Sequence, residues 1–202
     1  MAVANATLPK PAQRILKAAT SLFARKGLAG TTTRMIASRA KMNEALIFRY
    51  FPTKNHLYAA ILQCQMDSEK FIQDFRGDVP DLEFFLKTLA ARILENKRRK
   101  PQFIRLMYFS ALEGHKLASQ VYERAMHSIV GFIAEKFDAA IARGELRPID
   151  THLAARSFIG MVGHHALVSE VFNFDTDRWS DDELVANFTS IFFEGLKVPA
   201  AK

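Results

Sequence analysis

The sequence predicts an all-α protein: a small three-helix head followed by a helical body. Three observations carry this expectation. Apolar residues recur at helical rather than alternating spacing along the chain. The periodic stretches are separated by glycine, proline and capping residues. The positive charge is also concentrated at one end. The formal net charge is +7, yet residues 1–56 hold ten cations against a single acid, Glu44, while the remainder holds eighteen cations and twenty acids. Charge of that sign and density suits a polyanion, the alternative being a merely solubilising basic surface.

In chain order, residues 1–9 read as a flexible arm ending at Pro9, with Pro11 close behind. Over 12–26, Ile15, Ala19, Leu22 and Phe23 make one apolar stripe, and Gly27 ends the helix at the position glycine favours. Thr31 reads as the N-cap of a short helix over 32–39. Lys41 and Met42 form a tight connection, Asn43 caps a second short helix over 44–50, and Pro52 stops it. One longer helix is expected over 53–75, broken by Gly77, Asp78 and Pro80. Further helices are expected over 81–98, 102–112, 117–143, 151–172 and 181–196, with breaks at Pro101, at Gly114, over 144–148 and over 173–180. The sequence shows no β alternation and no internal repeat.

Two short helices joined by a few residues inside a cationic segment are what a helix-turn-helix requires. The second helix must be polar outside and apolar inside. In residues 43–51, Ile47, Tyr50 and Phe51 fall on one side, which leaves Glu44, Ala45 and Arg49 to face outward. The small side chain of Ala45 permits close approach to a groove.

The segment 15–57 resembles the DNA-binding domain of the TetR family. The resemblance rests on Gly-Thr-Thr-Thr-Arg-Met-Ile-Ala over 30–37, on Ile-Phe-Arg-Tyr-Phe-Pro-Thr-Lys over 47–54, and on Leu57. It implies that Thr31 and Thr32 anchor phosphate at the start of the second helix and that Lys54 contacts the DNA backbone. It further implies that Asn43, Glu44, Ala45 and Arg49 sit at or near base edges. Arg49 would read guanine or hold phosphate. Tyr50 would give its hydroxyl to a phosphate or serve as core. The chain departs from the family pattern twice. Lys41 stands where the turn usually carries glycine, which adds a cation at a cost of about 1 kcal/mol if φ is positive there. Phe48 stands where the family has a phosphate-contacting tyrosine, and its ring would pack on the sugar–phosphate backbone instead. The implied organisation is an arm over 1–9, a DNA-binding domain over 10–69 with its helix-turn-helix at 32–51, and a ligand-binding and dimerisation domain over 70–202.

The body carries its own signals. Apolar residues spread around much of the helix over 151–172, where Phe158, Met161, Leu167 and Val168 accompany His164 and where Gly160 and Gly163 permit close approach. Phe188, Ile191 and Phe192 do the same over 181–196. Helices this apolar need burial on more than one side, so these residues are the expected homodimer interface, the other reading being monomer core. Phe103, Met107, Tyr108, Tyr122, Met126, Phe132 and His165 are candidate lining for a pocket that takes a hydrophobic or aromatic effector, each being equally compatible with core.

His164 and His165 point about 100° apart on a helix and form no i, i+4 metal pair, so no metal or cofactor is expected. Cys64, the single cysteine, excludes an intramolecular disulfide and reads as a small buried hydrophobe. The run Lys97-Arg98-Arg99-Lys100 reads as a solvated helix end complementing the dipole. No apolar stretch is long enough to span a membrane, and residues 1–13 have no signal-peptide pattern, so a cytoplasmic, nucleoid-associated protein is expected. No catalytic constellation points to an enzyme. The expected function is a repressor that binds a double-stranded pseudo-palindromic operator as a homodimer and is released by a small effector. The alternative is a nucleoid-associated or division-control protein on the same fold, without an effector.

Overall fold

The computed structural model describes residues 8–66, 68–75, 81–175 and 178–198. Most of the expected arm lies outside these residues, as do Gly77, Asp78 and Pro80. The described chain is helical: α1 (Lys10–Lys26), α2 (Thr33–Ala40), α3 (Glu44–Tyr50), α4 (Lys54–Gln65), α5 (Ser68–Gln73), α6 (Leu82–Arg99), α7 (Pro101–Leu112), α8 (Lys116–Ala142), α9 (Thr151–Phe172) and α10 (Asp181–Leu196). An isolated antiparallel bridge joins Leu146 to Lys197.

The chain packs as two compact units. The first takes the described residues up to Ser68 together with Pro101–Ala125. Its spine is α1, against which α2, α4 and α7 pack. The stripe expected on α1 is buried: Ile15, Ala19 and Phe23 are fully covered. They meet Ile36 and Ala37 of α2, Ile47 of α3, Leu57, Tyr58 and Ile61 of α4, and Phe103 and Leu106 of α7 in one apolar cluster. Cys64 packs, partly buried, against the same cluster. Each side chain of this size contributes about 1.5–3 kcal/mol when covered, so α7 belongs to the head energetically.

The helix ends follow from local chemistry. The Gly27 N–H closes α1 onto the Phe23 carbonyl at 3.0 Å, with φ at 68°. The side chains of Thr32, Asn43 and Thr53 cap α2, α3 and α4 by accepting from the N–H groups of Met35, Leu46 and His56. Each such cap stabilises by about 1 kcal/mol. The cap of α2 is therefore Thr32, not Thr31. The helix expected over 53–75 is also corrected. It breaks at Met66 (φ −101°, ψ 63°), whose N–H still reaches the Leu62 carbonyl at 2.9 Å, and α5 restarts beyond. No glycine or proline marks this break.

The second unit comprises Glu69–Lys100 and the described residues from Met126 onward. In it α6 packs against both α9 and α10. The core is rich in phenylalanine. Phe75, Phe85 and Phe132 stack edge to face or tilted, and Phe158 and Phe137 each meet Phe192 at 5.0 and 6.1 Å between ring centres. Arg92 pairs with Asp74 and Glu95. At the end of α6 Arg98 and Arg99 are exposed, as a solvated helix end requires, and both have carboxylate partners: Arg99 pairs with Glu95, and Arg98 with Asp181 at the start of α10.

Candidate nucleic-acid interface

The helix-turn-helix is built from α2, α3 and the turn between them. Ile36, Ala37 and Ala40 turn inward on α2, which leaves Arg34, Ser38 and Arg39 exposed. At the turn, Lys41 takes the left-handed conformation (φ 53°, ψ 53°). The Met42 N–H donates to the Ala37 carbonyl at 3.0 Å and closes the end of α2. This is the backbone geometry that glycine would adopt without strain, and lysine here sets a cation at the turn.

On α3, Ile47 is 1% exposed and Phe51 just beyond is buried, so the helix is clamped to the head by its inner side. Asn43, Ala45, Phe48 and Arg49 are exposed. The Phe48 ring is 46% exposed, a large apolar surface that a solvated helix would otherwise hide. The Arg49 guanidinium lies 5.3 Å from the centre of the Tyr50 ring, which steadies it while leaving its donors open. Tyr50 itself is half-buried and packs on the core, so its ring is structural first.

Three residues are used differently from the sequence expectation. Thr31 is 1% exposed, and its hydroxyl donates to the Gly27 carbonyl at 2.9 Å. It knits the loop after α1 and is unavailable to phosphate. The Lys54 ammonium is half-buried and donates to the carbonyls of Leu28 and Thr31 at 2.7 and 3.1 Å. It fastens α4 to that loop with two of its three donors. The Glu44 carboxylate accepts from the Thr33 hydroxyl, bridging α3 to the first turn of α2, and so is held back from the base edges.

Arg34 and Arg39, which the family motif does not mark, stand exposed on the outer side of α2 because Ile36, Ala37 and Ala40 turn inward. Among the described residues, no ion pair involves any cation of the first 56 residues. In the second unit Lys87, Arg92, Arg98, Arg99, Arg143, Arg178 and Lys197 all have carboxylate partners. A field of uncompensated cations around an exposed short helix is a surface prepared for phosphate.

The residues expected to line a pocket are divided between the two units. Phe103 and Met107 belong to the core of the first unit, whereas Phe132 and His165 lie in the second. Met126 opens the second unit's part of α8 and is half-buried. Tyr108 and Tyr122 are about half-exposed neighbours, and partial burial, with Tyr122 nearby, raises the Tyr108 phenol above its ordinary value. The His165 ring packs on Phe188 and Trp179. The interface expectation is corrected at Phe158, which is fully buried in the core of its own unit. Met161, Phe188 and Phe192 pack partly buried against that core, Leu167 and Val168 are half-buried, and His164 and Ile191 are exposed. Among the described residues, no helix is long and apolar enough to cross a membrane.

Residues 15–61 match the family model of bacterial regulatory proteins of the tetR family. Residues 82–194 match the model of the C-terminal domain of the AefR-like transcriptional repressor. This chain belongs to the TetR family of transcriptional regulators. Over 51 residues, 25% of its length, it is 53% identical to an HTH-type transcriptional repressor of Mycobacterium tuberculosis, spanning only 27% of that relative. Over 170 residues it is 28% identical to the nucleoid occlusion factor SlmA of Aliivibrio fischeri, covering 78% of this chain and 83% of the relative. The solved structure of the ketosteroid transcriptional regulator KstR2 of Mycobacterium tuberculosis superposes with a TM-score of 0.74 at 18% identity, covering 97% of this chain and 99% of that one. That likeness establishes the TetR fold.

Proposed function

We propose that this TetR-family regulator is a repressor. It binds a pseudo-palindromic DNA operator as a homodimer in the cytoplasm and releases it when a small hydrophobic or aromatic effector occupies the body. The observation that carries this reading is the exposed outer side of α3, with Asn43, Ala45, Phe48 and Arg49, set among cations that have no carboxylate partners. The first unit, with Pro101–Ala125 completing its core, acts as the reading head, and the second unit acts as the effector and dimer part. Arg49 faces base edges, Phe48 packs on the backbone, and Thr32, Lys41, Arg34 and Arg39 hold phosphates. Thr31, Glu44 and Lys54 position these elements.

The proposed dimer face lies on the outer sides of α9 and α10. Leu153 and Ile191 are 61% and 62% exposed, unusual for large aliphatic side chains. A Cβ added at Gly160, Gly163 or Gly195 would meet nothing within 4 Å, which leaves low ground for a partner helix to approach. Two helices from each protomer would then form a four-helix seam and hold two heads at the half-site spacing of about 34–36 Å.

Selection of genomic fragments by the purified full chain, followed by footprinting at two salt concentrations, tests this function. The expected result is a protected inverted repeat whose occupancy falls steeply with salt. Arg49→Ala should weaken binding about ten- to a hundredfold with no change in melting temperature. Weak protection indifferent to sequence would overturn the repressor reading. The 28% identity to SlmA over most of the chain supports a second reading, a DNA-binding division-control factor without an effector. A screen in which no compound releases the operator would favour it.

A further inference from the structure

We infer that the head carries an anion site beyond the outer side of α3, a groove between α1 and the end of α2 in which Arg14, Lys17 and Ser21 join Arg39 and Lys41 to bind a phosphate group. The groove has a volume of about 490 Å³ and is lined by Arg14, Lys17, Ser21, Arg39, Lys41 and Gln102, with Ala18 and Ala40 between them. Four of these side chains are cations and none is an acid. One nitrogen of the Arg14 guanidinium donates to the Ala40 carbonyl at 2.7 Å, which fixes the group across the groove while its other donors stay available. Lys41 is placed there by its left-handed turn conformation. Gln102 adds an amide from the first turn of α7, the positive end of that helix.

The decisive feature is Ser21. It is 3% exposed, and its buried hydroxyl has no hydrogen-bond partner. Its neighbour Thr20 behaves as a helical hydroxyl ordinarily does and donates to the Leu16 carbonyl, four residues back, at 2.8 Å. Ser21 makes no such bond. An unsatisfied buried donor is costly, and a groove with four cations beside it supplies the natural acceptor, a phosphate oxygen. The combination is a built site for a phosphate ion or ester.

The phosphate can belong to the DNA backbone flanking the major groove or to a small phosphorylated ligand. The test uses the full chain with Lys17→Ala and, separately, Ser21→Ala, which removes only the hydroxyl. Binding of a fixed DNA duplex is followed by fluorescence anisotropy over a salt series, and binding of inorganic pyrophosphate by calorimetry.

If the site takes a backbone phosphate, Lys17→Ala lowers the salt slope by about 0.9 and Ser21→Ala weakens DNA binding roughly tenfold. If it takes a free ligand, pyrophosphate binds the unaltered protein, both substitutions weaken that binding tenfold or more, and the DNA salt slope is unchanged. Should Ser21→Ala leave both affinities intact, the cations act only as diffuse surface charge and the inference is overturned. Only the DNA arm rests on the proposed operator function. A protein that binds no DNA would refute that function while the pyrophosphate titration still decides the site.

Discussion

At Gly27 the backbone lies at φ 68° and ψ 174°, a region essentially reserved for glycine, and a Cβ there would sit 2.7 Å from the Phe109 ring and 2.9 Å from the Glu113 carboxylate. Gly27→Ala should lower stability by about 1–3 kcal/mol through backbone strain, read from the shift of a urea unfolding midpoint. Tyr58 makes a different prediction. Burial raises its phenol above the ordinary tyrosine value of 10.0, the charge of Glu113 adds to this, and the neighbouring Ser110 hydroxyl opposes it. That hydroxyl lies beside Tyr58 without the geometry of a full hydrogen bond. The folded protein therefore holds this proton more tightly than the unfolded chain. The stability involved is complete below pH 10 and is lost as the pH climbs beyond it. Melting temperatures measured from pH 8 to 11 should fall at the alkaline end, and less so in Tyr58→Phe, which should be close to neutral at pH 7. At this scale the sequence was only partly readable. Three consecutive threonines can each cap or turn inward, and only the fold shows that Thr31 bonds back to Gly27 while Thr32 caps α2. Lys54 likewise carried the family motif, but nothing local revealed that the Leu28 and Thr31 carbonyls would engage its ammonium.

The elements were legible wherever local chemistry punctuates them. Gly27, Asn43 and Pro52 mark ends that periodicity alone leaves vague. The clearest case is α10, where the Ser180 hydroxyl accepts from the Glu183 N–H and the Glu183 carboxylate accepts from the Ser180 N–H. That reciprocal bonding holds the Glu183 carboxyl below its usual value. Ser180→Ala should therefore destabilise the protein by about 1 kcal/mol in chemical denaturation, more than an alanine placed at the exposed Ser190. The carboxylate's contribution is present at neutral pH and fades as the pH falls through the carboxylate range, because the folded state binds that proton less readily. The break between α4 and α5 escaped the sequence for the opposite reason. Gln65 and Met66 are ordinary helix-interior residues and no glycine or proline stands beside them, so the end of α4 lacks the strong punctuation found elsewhere.

For the whole molecule, the expectation with most at stake is the dimer. Leu153→Glu combined with Ile191→Glu places charges on exposed positions, where the monomer should fold unchanged. Light scattering should then report half the mass of the unaltered protein, and operator affinity should fall by a hundredfold or more, because two heads no longer bind as one. A mass already equal to a single chain in the unaltered protein would refute the proposed face. Tertiary partnership was the least legible property of this sequence. The pattern on α1 shows that one side is buried, but not that α7, some 75 residues later, covers part of it. The sequence suggested a cut at 69/70, whereas packing assigns Pro101–Ala125 to the same compact unit as the helix-turn-helix. This has a practical corollary for anyone building chimeric regulators. A reading head excised at residue 69 and spliced to a foreign sensor would arrive with the α7 side of its core bare, exposing apolar surface around Ile15, Phe23 and Tyr58. Such hybrids should be designed to carry the 101–125 segment with the head, because the portable module is discontinuous in the gene.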